Sequence, residues 1–290
     1  MSLAYVIVDV FTDTPLQGNQ LAVFEDGSAL SDDQMQRLAR EMNFSETVFL
    51  LPAEDGGDAR MRIFTPAAEL PFAGHPVLGT AFVVGEARQL TSVQLESAAA
   101  AVPLRLTRSR QHGGSADDIG QITFAWMRQP VPAWAPFPRT AQLLAALGVP
   151  ASGLPVESYT NGPTHVYIEL PDEAAVTALK PHISALAGFA GVAVYCFAGS
   201  GRHWRSRMFA PAALGVTEDP ATGSAAGPLA IHLARHGRIG FGEEIEIRQG
   251  AEVGRPSVLH ARVNGSSAGI VSVEVGGAAV IVARGEFCRW

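Results

Sequence analysis

Cysteine is nearly absent: the 290-residue chain has only Cys196 and Cys288. Two thiols make no disulfide framework, and neither stands in a CxxC or Cys/His spacing suited to zinc, so no metal is expected. The sequence has no GxxxxGK[ST] loop and no GxGxxG between strand and helix, which leaves no reason to expect a nucleotide. No apolar run approaches the roughly 20 residues that cross a bilayer, and Asp9 and Asp13 stand where a signal peptide would be basic and then apolar. The expectation is therefore no membrane partner and a cytoplasmic location. Positive charge is in deficit, with a net charge of −7, so there is no basic surface for nucleic acid, although a local cationic pocket for an acidic substrate stays open. The chain is well supplied with apolar residues, at 47%, enough for one large core or two of ordinary size.

Alternating apolar and polar residues predict strands over Tyr5 to Phe11 and Gln20 to Phe24, followed by a helix capped at Ser31-Asp32-Asp33 and running to about Glu41. Further strands are predicted at Thr47 to Leu51 and Arg60 to Phe64, then near Val93 to Glu96, Val102 to Thr107 and Gln121 to Trp126. Residues 129–138 read QPVPAWAPFP, whose four prolines exclude a helix or a central strand and mark a lobe boundary. The expected organisation is an N-terminal lobe, 1–128, and a C-terminal lobe, 129–290. In the second lobe a helix is predicted over Arg139 to Leu147, with strands near His165 to Leu170, Val192 to Phe197, Glu244 to Arg248, Ser257 to Val263 and Gly269 to Val275.

The chain also repeats itself. Residues 60–68 read RMRIFTPAA and residues 205–213 read RSRMFAPAA; ELPFAGHPVLGTA then follows from Glu69 and EDPATGSAAGPLA from Glu218. Each half thus runs strand, proline loop, glycine, helix. A duplicated fold alone would leave such a repeat, with Arg60 and Arg205 solvated and the phenylalanines in two cores. There is also a chemical reading. A helix opening on Gly and a short polar residue leaves backbone N–H groups unpaired and outward, which suits an anion, and two such starts facing one cleft would grip a carboxylate from both sides.

Taken together, NFSETVFLLP (Asn43 to Pro52), RIFTPAAELPFAGHPVLGTA (Arg62 to Ala81), EDPATGSAAG (Glu218 to Gly227) and QGAEVGRPS (Gln249 to Ser257) make this sequence resemble the phenazine-biosynthesis isomerase-like family across nearly its whole length. The resemblance implies the α+β fold of diaminopimelate epimerase: two pseudo-symmetric lobes, each a curved sheet wrapped around a central helix, with a C-terminal strand at about 278–290 that can join the first lobe. It implies a homodimer and a cofactor-independent isomerase that moves a proton on a small carboxylate, of the trans-2,3-dihydro-3-hydroxyanthranilate isomerase kind. Carried over by position, the acid/base glutamate falls on Glu46, the histidine on His75, the aspartate on Asp219 and the serine on Ser224. Gly74 and Gly223 would supply backbone N–H groups to the substrate.

Read from the residues themselves, each assignment has a plainer counterpart. Glu46 lies between a helix end and an apolar strand, where it would either be drawn inward, as a group that gives and takes a proton requires, or cap and stay solvated. His75 at a helix N-terminus is disfavoured as an imidazolium, and a packed structural ring would be neutral too. Asp219 and Ser224 are adequate as a helix cap and a first-turn residue. His165 and His203 are expected to be structural or solvated, GRHWRSR (Gly201 to Arg207) to be either a basic cluster that attracts an anionic substrate or, as the plainer reading, a surface turn entering the Arg205 strand, and Arg255 to shape a turn.

Two other functions use the same fold. An amino-acid epimerase or racemase would need a cysteine at each helix start, where this chain has Pro71-Phe72-Ala73-Gly74 and Pro220-Ala221-Thr222-Gly223. A non-catalytic ligand-binding relative would keep the fold without bringing Glu46, His75 and Asp219 to bear on one ligand.

Overall fold

Alternating apolar side chains shape the first strand, Leu3–Val10, whose Val6, Val8 and Val10 are fully buried. A computed structural model describes this strand and the rest of residues 2–109, 120–189, 191–210 and 217–288. The chain divides into two units, Met1–Arg128 with Gly276–Trp290, and Gln129–Val275.

In the first unit, Leu3–Val10 pairs antiparallel with Asn19–Phe24 on one side and with the late strand Ala279–Phe287 on the other. Asn19–Phe24 runs parallel to Glu46–Leu51, which pairs antiparallel with Ala59–Phe64. The latter meets the two-residue strand Glu69–Leu70 and, in parallel, Ser92–Glu96; the hairpin partners Ala101–Arg108 and Ile122–Gln129 follow. The sheet packs around the helix Gly74–Arg88, in which every residue from Gly74 through Gly85 is buried. A helix apolar on all sides needs such an enclosure. Gly79 lets it come close, because a Cβ there would stand 2.7 Å from both Leu21 and Val10 side-chain atoms.

The outer helix Asp32–Met42 is amphipathic and covers a small core containing Phe24, Met35, Leu38, Phe49 and Phe64. It begins as the sequence predicts: Ser31 Oγ accepts from the Gln34 N–H, and Gln34 Oε1 accepts from the Ser31 N–H, a reciprocal capping box.

The second unit repeats this plan. Glu157–Thr160 pairs with Thr164–Glu169, which runs parallel to Ala193–Ser200; His203–Phe209 follows antiparallel. His203–Phe209 meets the short strand Glu218–Asp219 and, in parallel, Glu244–Gln249, itself paired with Ser257–Ser266. The central helix is Gly223–Arg235, buried from Gly223 through Ala234. Thr140–Leu147, Glu173–Ala178 and Ile183–Leu186 contribute to a separate core with Val166, Ile168, Val194 and Phe209.

One feature adds to expectation and one departs from it. Within the proline-rich boundary, where the sequence excludes only a helix or a central strand, Ala133–Pro136 forms a strand, exposed at all four residues and paired with Glu157–Thr160. Arg60 and Arg205 are not simply solvated: Arg60 pairs with Glu54 at 3.0 Å and Arg205 with Glu252 at 2.6 Å. The second half of the repeat, Pro211-Ala212-Ala213, and the end of the C-terminal strand, Arg289 and Trp290, lie outside the described residues.

Candidate active site

Glu46 opens the strand Glu46–Leu51, where it is opposite Leu21 in the parallel ladder. Its side chain keeps 16% exposure while the next four residues, Thr47 to Leu50, are buried. The apolar strand therefore anchors the backbone and leaves the carboxylate partly buried, with Oε2 shut off from solvent. His75 is the second residue of the helix Gly74–Arg88 and faces Glu46, with Nε2 3.4 Å from Glu46 Oε2. On the other side of the ring, Nδ1 lies 3.2 Å from Asn19 Nδ2. Nε2 is buried and meets Glu46 Oε2 as a contact longer than a hydrogen bond. Burial pushes the imidazole down to about 3, against the opposing effect of a backbone hydrogen bond at Gln20. The contact is thus between a carboxyl group and a neutral ring.

The same helix begins without a cap: Ala73 has no polar side chain to offer and the first turn has no acid. The Gly74 and His75 N–H groups precede the first intrahelical donor, Val77, whose N–H reaches Ala73 O at 3.4 Å. With the positive end of the helix dipole, they suit a carboxylate.

In the second unit Asp219 is buried in the two-residue strand Glu218–Asp219, and its Oδ2 accepts from Thr222 Oγ1 at 2.7 Å. Gln249 organises this turn. Its Nε2 donates to Asp219 O at 2.8 Å and to Thr222 Oγ1 at 2.9 Å, and its Oε1 accepts from the Thr222 N–H at 3.3 Å. Gly250 adopts φ 83°, and a Cβ there would collide with the carbonyl oxygens of Pro220 and Arg255, so the glycine of the QGAEVG turn lets it close against the aspartate loop.

Gly223 and Ser224 open the helix Gly223–Arg235, whose Thr222 makes no side-chain cap bond to it. Its first carbonyls are tied to the sheet: Gln129 Nε2 donates to Gly223 O at 2.9 Å, Asn161 Nδ2 to Ser224 O at 3.0 Å and Tyr167 Oη to Ala225 O at 2.8 Å. The Asn161 bond has a cause in the sequence. Pro228 has no N–H for the carbonyl four residues back, which is Ser224 O, and Asn161 supplies the missing donor.

The structure therefore brings Glu46, Gly74 and His75 together in the first unit and Asp219, Gly223 and Ser224 together in the second. Sequence reasoning missed Asn19, Thr222 and Gln249, which hold these groups in place; the polar Gln249 beside Gly250 was the available signal. The arginines of the run Gly201 to Arg207 are paired one by one, Arg202 with Glu244, Arg205 with Glu252 and Arg207 with Glu218, and His203 Nδ1 lies 3.7 Å from Glu246. His165 is a buried core residue whose imidazole burial lowers to about 4.

Glu157, His232 and His236 gather ligand-type atoms within 4.8 Å of one another. The Arg235 guanidinium already occupies this cluster, donating to Glu157 Oε2 at 2.6 Å, so the chain supplies its own cation there. Cys196 is buried, with its thiol pushed up to about 12 by desolvation, and Cys288 is exposed.

The fold class defined by these units is the diaminopimelate epimerase-like α+β fold, shared with a probable proline racemase from Agrobacterium radiobacter (TM-score 0.66, 14% identity, covering 99% of this chain and 93% of that one). Within it, the chain belongs to the family described as phenazine biosynthesis-like protein, which it matches over residues 8–285. The trans-2,3-dihydro-3-hydroxyanthranilate isomerase of Pseudomonas aeruginosa is 52% identical over 282 residues, 97% of this chain and 98% of that protein. A predicted epimerase of known structure, also from Pseudomonas aeruginosa, is 33% identical with a TM-score of 0.80 and covers 99% of this chain and 100% of that one.

Proposed function

We propose that the chain is a cofactor-independent isomerase that moves a proton on a small carboxylic acid, with trans-2,3-dihydro-3-hydroxyanthranilate, the substrate in its relative's name, as first candidate. The observation that carries this reading is the partly buried carboxylate of Glu46 held 3.4 Å from a neutral His75 beside an uncapped helix start. The substrate's carboxylate rests on the Gly74 and His75 N–H groups. Glu46 takes a proton from a substrate carbon; the electron pair left behind enters a conjugated double bond, the existing double bond shifts, and Glu46 returns the proton to the far carbon. No oxidant or reductant is required. The neutral His75 ring packs against the Glu46 carboxylate and holds it in place for the transfer. Asp219, Ser224 and the Gly223 N–H are assigned as a second set of substrate-binding groups.

The epimerase reading is weaker, because both cysteines lie away from the helix starts and the Cys196 thiol is held protonated by burial. The expectation of a homodimer, carried by the family resemblance, is checked by sedimentation velocity, where a monomer at micromolar concentration contradicts it. For the activity, the purified protein is incubated with trans-2,3-dihydro-3-hydroxyanthranilate without added metal or cofactor, and product is followed by mass-resolved chromatography and absorbance. Turnover supports the reading. Unchanged substrate after many enzyme equivalents of incubation contradicts this substrate.

A further inference from the structure

We propose that Arg62 and Arg207 are a duplicated pair of positioning residues, each fixing the short strand from which the chain enters a central helix and so setting where the substrate-binding helix start lies. The inference rests on the reading of those helix starts as binding groups. Its basis is that the repeat preserves a whole hydrogen-bond pattern. Arg62 donates from Nε to Glu69 Oε1 and from Nη2 to Glu69 Oε2, both at 2.7 Å. Arg207 donates from Nε to Glu218 Oε1 and from Nη2 to Glu218 Oε2, both at 2.8 Å. Each glutamate lies opposite the phenylalanine two residues beyond its arginine, Phe64 with Glu69 and Phe209 with Glu218. Each guanidinium also lies over that ring, at 5.1 and 4.9 Å.

The remaining guanidinium nitrogen holds a helix end in both cases. Arg62 Nη1 donates to Asp32 Oδ1 at 2.6 Å, in the first turn of Asp32–Met42. Arg207 Nη1 donates to the Leu179, Val176 and Thr177 carbonyl oxygens at 2.8, 3.3 and 3.3 Å, at the end of Glu173–Ala178. Each arginine is thus a three-way joint between a long strand, the entry strand and an outer helix.

The connections are what differ. Between the paired phenylalanine and glutamate the first unit has residues 65–68 and the second the longer 210–217, yet Glu69 precedes Gly74 by the same number of residues as Glu218 precedes Gly223. Since sequence separations of unequal length lead to one register, the fork common to both fixes the entry strand. A bidentate arginine fixes plane as well as distance, which a lysine ammonium does not. In the second unit the consequence is immediate, because Glu218 adjoins Asp219 and the turn held by Gln249.

The test uses the full chain carrying Arg207→Lys, with Arg238→Lys as control. Arg238 also pairs with a buried glutamate of the second unit, Glu169 at 2.7 Å, but lies outside the site. Turnover, KM, melting temperature and amide exchange of the peptide 218–227 are measured where every protein is fully folded. Arg207→Lys is expected to lower kcat about tenfold or more, since small misplacements of reacting groups carry large rate costs. It should also speed amide exchange at the helix start about tenfold, with Arg238→Lys within about twofold on both readouts. Unchanged kcat and exchange in Arg207→Lys, or losses in both variants that merely track melting temperature, overturn the proposal. Should the unmodified protein turn over no candidate acid, the function reading fails and the exchange comparison alone decides the joint. If Arg207→Lys does not fold, Arg62→Lys and the peptide 69–78 decide it in the same way.

Discussion

His75, His165 and His232 show how far burial controls single residues: desolvation lowers them to about 3, 4 and 4 respectively. Each is neutral in the folded chain and free to protonate near 6.5 once unfolded, so each contributes stability that is fully present above about pH 6.5 and is lost as pH falls toward 4. The slope is up to about 1.4 kcal/mol per pH unit for each histidine in that window. Urea midpoints at pH 7, 6, 5 and 4.5 should fall accordingly, and His165→Gln should flatten the fall; a flat profile in the unmodified protein contradicts the assignment. Cys196 gives a second prediction at this scale. Replacing Cys196 and Cys288 together by alanine should leave turnover within about twofold, with a stability loss on the order of 1 kcal/mol from Cys196, the buried one. Loss of turnover in the folded double variant would restore a thiol mechanism. The residues themselves were legible, since Glu46, His75, Asp219 and Ser224 stand in compact motifs. Their partners were not: Asn19 and Gln249 reach His75 and Asp219 from distant strands, and no local pattern records such pairings.

Among the elements, the helix Gly223–Arg235 carries an interior proline at a backbone cost that one side chain offsets. Asn161→Ala should therefore destabilise the protein by about 1–3 kcal/mol, the cost of leaving the buried Ser224 carbonyl without a donor. Pro228→Ala restores a backbone N–H to that carbonyl and should recover a substantial part of the loss in the Asn161→Ala background. Denaturation of the two single variants and the double variant measures this coupling, and simple additivity would show that Asn161 does not substitute for the missing bond. Long alternating strands and the Ser31 cap were readable because each spans a full period of its pattern or carries its own signature. Ala133–Pro136, Glu157–Thr160 and Ile183–Leu186 are too short for any period to show, and tertiary pairing decides them.

For the whole molecule, chain order and spatial unit diverge at the end, where Gly276–Trp290 belongs with residues 1–128. Ala279–Phe287 pairs along the entire strand Leu3–Val10, and the Phe287 ring packs at a tilt against Tyr5 and Phe24, with centroids 5.5 and 5.7 Å apart. Truncation after Gly277 exposes that strand edge and should leave the first unit unable to melt cooperatively; a sharp transition retained by the truncated chain would show that the late strand is dispensable. The family resemblance implies both this strand and its return to the first lobe, whereas no local pattern records a partner nearly the whole sequence away.

The central claim is that the Glu46 carboxylate carries the proton. Its most direct test is turnover of trans-2,3-dihydro-3-hydroxyanthranilate by Glu46→Gln beside the unmodified protein, with the affinity of each for an unreactive carboxylate analogue measured in parallel by calorimetry. Glutamine keeps the size and most hydrogen bonds of Glu46 but cannot take up the proton, so turnover should fall by about 10²–10⁴-fold while analogue affinity changes less than about threefold. Near-normal turnover by folded Glu46→Gln would contradict the account and move the proton to another group, with Asp219 the next to examine.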